Sequence, residues 1–492
     1  MFRSEKLINK QKSPINTKTR TRTLGLIAAL ALGLAPFASG NAAQADLALS
    51  WPEVSRPPLF SRGQRIGCIG DSITRPGQYI TYLYDYYVTR LPDQPIRLYN
   101  LGIGGDTLKE VLARYDDDIR AIPLDSVMIL MGMNDAARGA YTADSENNPS
   151  LLARRTSDRA GFDNRLTTLI GRLKTDNIAP ILCTPTCYDE TTVSKYELIP
   201  KANRALQSLA EVLKIRALAD NLPLIELNEP LLAANASLQT NSQTTSIIGG
   251  DRVHPLNSGQ AIMAWAILRQ QQAPKEIAEV IIDARAQRTL LMRGCEVSAL
   301  SIQPNEISYN YQPKSLPLPR DHGWAVAASC TTLTRDFNQE LLKINSLADG
   351  VWLLKIGEIE VGQFTSSQLA EGINLANQKN TPQLQAADHI HELNLARSKI
   401  ESKIRGVHYI EKVAKIPSGA KEDVWQKKIA NYLESANYKN LPETNYFRTE
   451  ANQYVQNKSD LGKLFEKLET ATQNMYAAFP RTAWPVRLIK AP

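Results

Sequence analysis

Residues 65–73 read RIGCIGDSI. After Arg65 the run carries no charge until Gly70 closes it, which is the form of a strand buried on both faces; Asp71 and Ser72 behind it are turn and helix-entry residues. The same form recurs at 96–102 (IRLYNLG), 126–132 (SVMILMG), 179–184 (APILCT) and 223–227 (PLIEL). Stretches with helical spacing lie between these runs at 77–90, 108–120, 159–176 and 200–221, and a last one follows at 258–272. Apolar strands alternating with helices predict an α/β domain built on a parallel sheet. In such a domain the chemistry belongs at the carboxyl ends of the strands.

The chain has 492 residues, enough for two or three domains. Hydrophobic residues make up 43% and charged residues 22%, which excludes disorder over most of the length. One long apolar run, at 24–38, excludes a polytopic membrane protein. The formal charge of +7 does not signal nucleic-acid binding. The first 45 residues hold seven Lys and Arg against Glu5 alone, so the remainder is nearly neutral and has no basic excess to set against phosphates. Those 45 residues have the three parts of a secretory signal peptide: a basic segment, the apolar run, and Ala43-Gln44-Ala45 as an A-x-A site. The expectation is an exported protein, secreted or periplasmic, with no stable membrane insertion after cleavage near Ala45.

Five cysteines follow: Cys68, Cys183, Cys187, Cys295 and Cys330. Export permits disulfides, and the odd count leaves one thiol over. Cys295 with Cys330 is one candidate bridge; the sequence does not establish the pairing. Beyond about residue 280 the pattern changes. The expected division is a leader at 1–45, the α/β domain at 46–280 and an accessory region at 281–492. That region reads β-rich over 290–365, with Asp349-Gly350 as a turn signal, and helical over 366–480.

Four short motifs stand in order at predicted strand ends: Gly70-Asp71-Ser72-Ile73, Asn100 to Thr107 (NLGIGGDT), Gly132-Met133-Asn134-Asp135, and Asp251-Arg252-Val253-His254. Each alone is ordinary turn chemistry. Together they meet the needs of acyl transfer. A serine hydroxyl needs a base that titrates near neutral pH, and that base needs an orienting carboxylate. The developing oxyanion needs fixed donors, which the Ser72 and Gly105 amides and the Asn134 side chain can supply.

This set resembles the SGNH, or GDSL-type, hydrolase family over about residues 64–272, with Ser72, Gly105, Asn134 and His254 as its four hallmark residues. The resemblance implies a three-layer α/β/α, flavodoxin-like domain. It makes Ser72 the nucleophile, His254 the base and Asp251 its partner, with Ser72, Gly105 and Asn134 forming the oxyanion hole. It implies an exported serine esterase acting through an acyl-enzyme, with no cofactor and no metal. Carbohydrate O-acetylesterase is the leading substrate class, on a small-molecule or polysaccharide ester; lysophospholipase or thioesterase activity is the alternative. A retired, carbohydrate-binding envelope protein is the rival from another class. Trp324, Trp352 and Tyr409 are candidates for stacking on sugar rings, core packing being the commoner fate of each.

Other chemistries lack their signatures: there is no G-x-S-x-G elbow, no H-E-x-x-H and no P-loop. His389 and His391, beside Asp388 and Glu392, are a weak metal candidate, because i and i+2 face apart on a helix. Asp135 is expected to brace the third motif's loop. Arg75 and Arg138, which follow two of the motifs, are either cleft residues or solvated loop residues.

Overall fold

The computed structural model describes residues 54–142, 145–240, 242–417, 419–441 and 445–492. The expected leader and its cleavage site lie outside the described residues. The first half alternates as the sequence predicts: β1 (Arg65–Gly70), α1 (Gln78–Arg90), β2 (Arg97–Gly102), α2 (Leu108–Ala113), β3 (Ser126–Leu130), α3 (Pro149–Thr175), β4 (Ala179–Cys183), α4 (Ala202–Asp220), β5 (Leu224–Ile225), α5 (Asn228–Gln239) and α6 (Asn257–Gln270). All five strands run parallel in the order β2-β1-β3-β4-β5. This is the flavodoxin-like order, whose reversal of direction between β1 and β3 opens a crevice at their carboxyl ends.

Two expected helices differ in extent. α3 begins at Pro149 rather than near 159, because the Asn148 side chain accepts from the Ser150 and Leu151 amides and Pro149 suits the first turn. The stretch 108–120 divides: α2 stops at Ala113 and a π turn, Tyr115–Ile119, follows, with Asp118 buried. α5 is an element the sequence reading passed over.

α1 is buried on every side, although it carries five tyrosines. Their hydroxyls explain why this is tolerated: Tyr82 donates to Asp321 at 2.6 Å, Tyr86 to the Pro274 carbonyl at 2.6 Å and Tyr87 to Gln271 at 3.1 Å, while Tyr84 accepts from the Leu98 amide at 2.7 Å.

The second half continues with β6 (Glu276–Asp283), β7 (Arg288–Arg293), β8 (Cys295–Gln303), β9 (Glu306–Pro313), α7 (His322–Cys330), α8 (Leu333–Phe337), β10 (Gln339–Asn345), β11 (Val351–Ile356), β12 (Ile359–Thr365), α9 (Ser366–Glu371) and β13 (Ile373–Asn374). It ends with α10 (Pro382–Val413), α11 (Glu422–Glu434), α12 (Ala436–Lys439), α13 (Tyr446–Ser459), α14 (Leu461–Ala477) and β14 (Trp484–Lys490). Two sheets, β13-β10-β6-β7 and β12-β11-β14-β9-β8, enclose one apolar core that includes Ile282, Ile344, Trp352 and Leu488. β14 lies between β11 and β9, so the helices α10 to α14 are a loop let into a β sandwich.

α10 leaves that sandwich and runs along α1 and the open edge of β2. An edge strand offers unpaired amides, and here side chains of α10 take them up: Glu401 accepts from the Asn100 amide at 3.0 Å, and Arg405 donates to the Gly102 carbonyl at 3.4 Å. Farther along the helix, His391 and Asn394 hold the buried Asp85 at 2.8 Å each, and Arg397 lies over the Tyr84 ring at 4.4 Å. Arg405 also binds the buried Asp118 through both oxygens, at 2.7 and 2.8 Å. The five cysteines are all buried free thiols, so the candidate Cys295–Cys330 bridge is not formed.

Glu340, at the start of β10, is fully enclosed. Burial raises its carboxyl to about 7, against smaller opposing pulls from Tyr311, Gln383 and Arg90. The folded value exceeds the unfolded one, near 4.3. The folded state is therefore at no disadvantage below that pH, and loses stability as pH rises through about 7. Glu340→Gln keeps the Oε1 that accepts from Tyr311 and Gln383. It is expected to raise stability at pH 8 by roughly 2 kcal/mol and to change little at pH 4, as thermal melts at the two pH values would show.

Candidate active site

The carboxyl ends of β1, β2 and β3 bring three of the motifs to one rim. Asp71 is buried and its carboxylate accepts from the Ile73 amide at 2.8 Å, which turns the chain sharply and leaves Ser72 half-exposed. Burial raises the Asp71 carboxyl to about 6, against the Ile73 amide and the nearby His254. The loop before α6 delivers the fourth motif. Ser72 Oγ lies 2.8 Å from His254 Nε2, and His254 Nδ1 lies 2.6 Å from Asp251 Oδ2. The other Asp251 oxygen accepts from the Val253 and His254 amides, each at 3.0 Å. Burial would push this carboxyl up; the two amides and the imidazole outweigh it and hold Asp251 below the usual carboxylate range. Arg252 is buried with φ of 67°, and its guanidinium donates to the carbonyls of Asp189, Thr192 and Tyr196, clamping the triad loop to its neighbour.

Gly105 is exposed at φ of 74°, a conformation that suits glycine. Among the described residues neither its amide nor that of Ser72 has an acceptor. The Asn134 amide donates to the Asp106 carbonyl at 3.0 Å, and its remaining contact is a long one, 3.4 Å, to Asp71. Gly102 is needed for close approach: a Cβ there would sit 2.5 Å from the Arg75 amide nitrogen, forcing the first two motifs apart.

Every expected site residue therefore comes to this rim. Asp135 braces the third motif's loop, as expected, by accepting from the Leu108 amide at 3.1 Å, which ties the third motif to the second. Burial raises its carboxyl to about 6. Arg138 is half-buried, with Nη1 3.3 Å from the Met133 sulfur. Arg75 is neither a solvated loop residue nor free in the cleft. It is 5% exposed, paired with Glu450 of α13, and its guanidinium lies 4.5 Å from the Tyr409 ring centre and 5.2 Å from that of Phe447. Trp324 and Trp352 are core residues, closed to a sugar, and Tyr409 stacks on Phe447. The weak metal candidate disperses: Arg320 takes Asp388, Asp85 takes His391, and among the described residues no group of three ligating side chains forms a metal-sized cluster.

Of the contributions of α10 and α13 to this rim, sequence reading singled out Tyr409, as a stacking candidate, and missed Lys412, Phe447 and Glu450. No local pattern marks them, since Arg75 and Glu450 stand 375 residues apart.

The model of the GDSL-like Lipase/Acylhydrolase family matches residues 68–262, the segment that carries all four motifs. The chain carries an SGNH/GDSL hydrolase domain. It is an ester-cleaving serine hydrolase. The hydrolase is similar to an acetylxylan esterase of Geobacillus stearothermophilus, at 25% identity over 226 residues, which are 42% of this chain and 94% of that protein. Among solved structures, a gut microbial diltiazem-metabolizing enzyme is similar over 89% of this chain and 99% of its own, at 25% identity and a TM-score of 0.79. That likeness extends well beyond the hydrolase domain, into the β sandwich and the helices let into it.

Proposed function

We propose that Ser72 attacks the carbonyl of a short-chain ester, that His254 takes its proton and returns it to the leaving alcohol, and that water then releases the acid from an acyl-enzyme. Asp251 holds the imidazole in the tautomer that leaves Nε2 free to accept. The Ser72 and Gly105 amides and Asn134 stabilise the oxyanion. The observation that carries this reading is the unbroken relay Ser72–His254–Asp251 at 2.8 and 2.6 Å, beside two amides that have no acceptor among the described residues. A retired site would lack a member. A fluorophosphonate probe should label the protein at Ser72, and a folded protein that resists labelling would refute the reading.

The substrate class we propose is an acetylated carbohydrate. The acetylxylan esterase relative supports it, as does the polar composition of 136–150, the stretch that follows the third motif in sequence. A long acyl chain needs a continuous apolar groove. On a panel of nitrophenyl esters, acetyl is expected to be cleaved faster than octanoyl or palmitoyl by about tenfold or more, because a site without that groove does not seat a long chain with its carbonyl on the donors. Preference for long chains would point to the lysophospholipase or thioesterase reading. Because nucleophile, base and oxyanion donors are all protein groups, EDTA is expected to leave hydrolysis unchanged; inhibition reversed by a divalent ion would overturn that. On the strength of the leader we further propose that the protein works outside the cytoplasm, which fractionation of the producing cells would test.

A further inference from the structure

The geometry points to Lys412 of α10 as the residue that sets the oxyanion hole. This inference rests on the hydrolase reading of the same site. Lys412 Nζ donates to the Gly104 carbonyl at 3.0 Å and to Asp106 Oδ1 at 2.5 Å, spanning the residue between them, Gly105. The Gly104 carbonyl and the Gly105 amide belong to one planar peptide group, so a donor that fixes the oxygen also fixes the direction of the N–H on the opposite side. Two consecutive glycines offer little resistance to a flip of that peptide. Among the described residues, the hydrogen bond that restrains this peptide group is the one from Lys412. The positive charge on its oxygen also polarises the group and strengthens the N–H as a donor.

The second bond reaches the other donor. Asp106 is fully buried; Arg114 Nε takes its Oδ2 at 2.7 Å and Lys412 its Oδ1, while its carbonyl accepts from Asn134 Nδ2 at 3.0 Å. Lys412 thus holds the Gly105 amide through one neighbour and the Asn134 amide through the other. It lies outside residues 68–262, which the family model matches. In this protein, the oxyanion hole is finished by a part of the chain that the hydrolase domain does not contain. Lys412 is a positioning residue: it acts through Gly104 and Asp106.

The test is Lys412→Met, Lys412→Arg and wild type on nitrophenyl acetate, with the rate of fluorophosphonate labelling at Ser72 as a second readout. Misplaced donors weaken transition-state binding and leave ground-state binding alone. Lys412→Met is expected to lower kcat by about 10- to 100-fold with KM within about twofold, and to slow labelling in parallel. Lys412→Arg, which keeps charge and donors, should recover most of the loss. An unchanged kcat in folded Lys412→Met overturns the inference, as does a loss explained by fewer titratable sites with an unchanged rate per site. Should Lys412→Met fail to fold, Lys412→Gln, which is neutral and too short to span Gly104 and Asp106 together, must show a loss in kcat with KM unchanged, or the inference falls. Wild type that is not labelled at Ser72 would sink the hydrolase reading itself; wild type and Lys412→Met labelled at equal rates would sink only the role of Lys412.

Discussion

Ser72→Ala is expected to lower kcat for nitrophenyl acetate by about three orders of magnitude or more, with the melting temperature within a few degrees of wild type. The change removes one half-exposed oxygen, whose hydrogen-bond partner is His254 at 2.8 Å, and leaves no cavity in the core. Residual hydrolysis should persist, because the amides of residues 72 and 105 and the Asn134 side chain still bind an oxyanion after the nucleophile is gone. For the same reason His254→Ala should lose about as much, and the double variant scarcely more, since the two residues act as a unit. Undiminished turnover by folded Ser72→Ala protein would remove Ser72 from the mechanism.

The largest effect on stability is expected from Asp118→Ala. Asp118 sits among Arg405, Arg114 and His408, and its two oxygens are bound by Arg405 at 2.7 and 2.8 Å. Burial would push its carboxyl up, but the Arg405 guanidinium, His408 and Arg114 carry it far below the usual range. Removing the carboxylate leaves Arg405, 2% exposed, as a buried charge without its partner. Breaking a buried pair in this way costs about 3–5 kcal/mol, which denaturant titration would measure. The pH dependence follows from the same group. A carboxyl whose folded value is depressed contributes stability above its unfolded value, near 3.9, and loses that contribution as pH falls below it. Wild type should therefore destabilise more steeply in acid than Asp118→Ala. Equal stability of the two proteins at pH 7 would show that the pair contributes nothing.

The parallel sheet was legible because its central strands β1 and β3 are buried on both faces and so read as apolar runs; β1, 65–70, has the same bounds in sequence and structure. The site was legible for a related reason. Ser72, Gly105 and Asn134 each follow such a run directly, and Asp251 lies within three residues of His254, so local spacing carries the chemistry. What could not be read was whatever depends on chain closure. β14 alternates over only seven residues after a long helical stretch, and it becomes a strand by inserting between β11 and β9. Arg75 looked like a loop arginine because the Glu450 and Tyr409 that enclose it are brought there by packing. The break of 108–120 into α2 and a π turn likewise follows the demand of Arg405 for Asp118, which no helical period announces.

The place of β14 in its sheet bears on the order in which the molecule can be assembled. On the ribosome, Ser72 emerges long before Lys412 and Glu450, and the strand that closes the sandwich around the helical loop emerges later still. A nascent chain can form its parallel sheet early, since the strands and helices of that half are close in sequence. The brace on the Gly104–Gly105 peptide cannot act until α10 is anchored at both ends, and one of those anchors is β14. Esterase activity should therefore be acquired in a discrete late step during refolding, lagging the recovery of α/β secondary structure. The long-range closure of one antiparallel strand would be the clock that sets when the enzyme switches on.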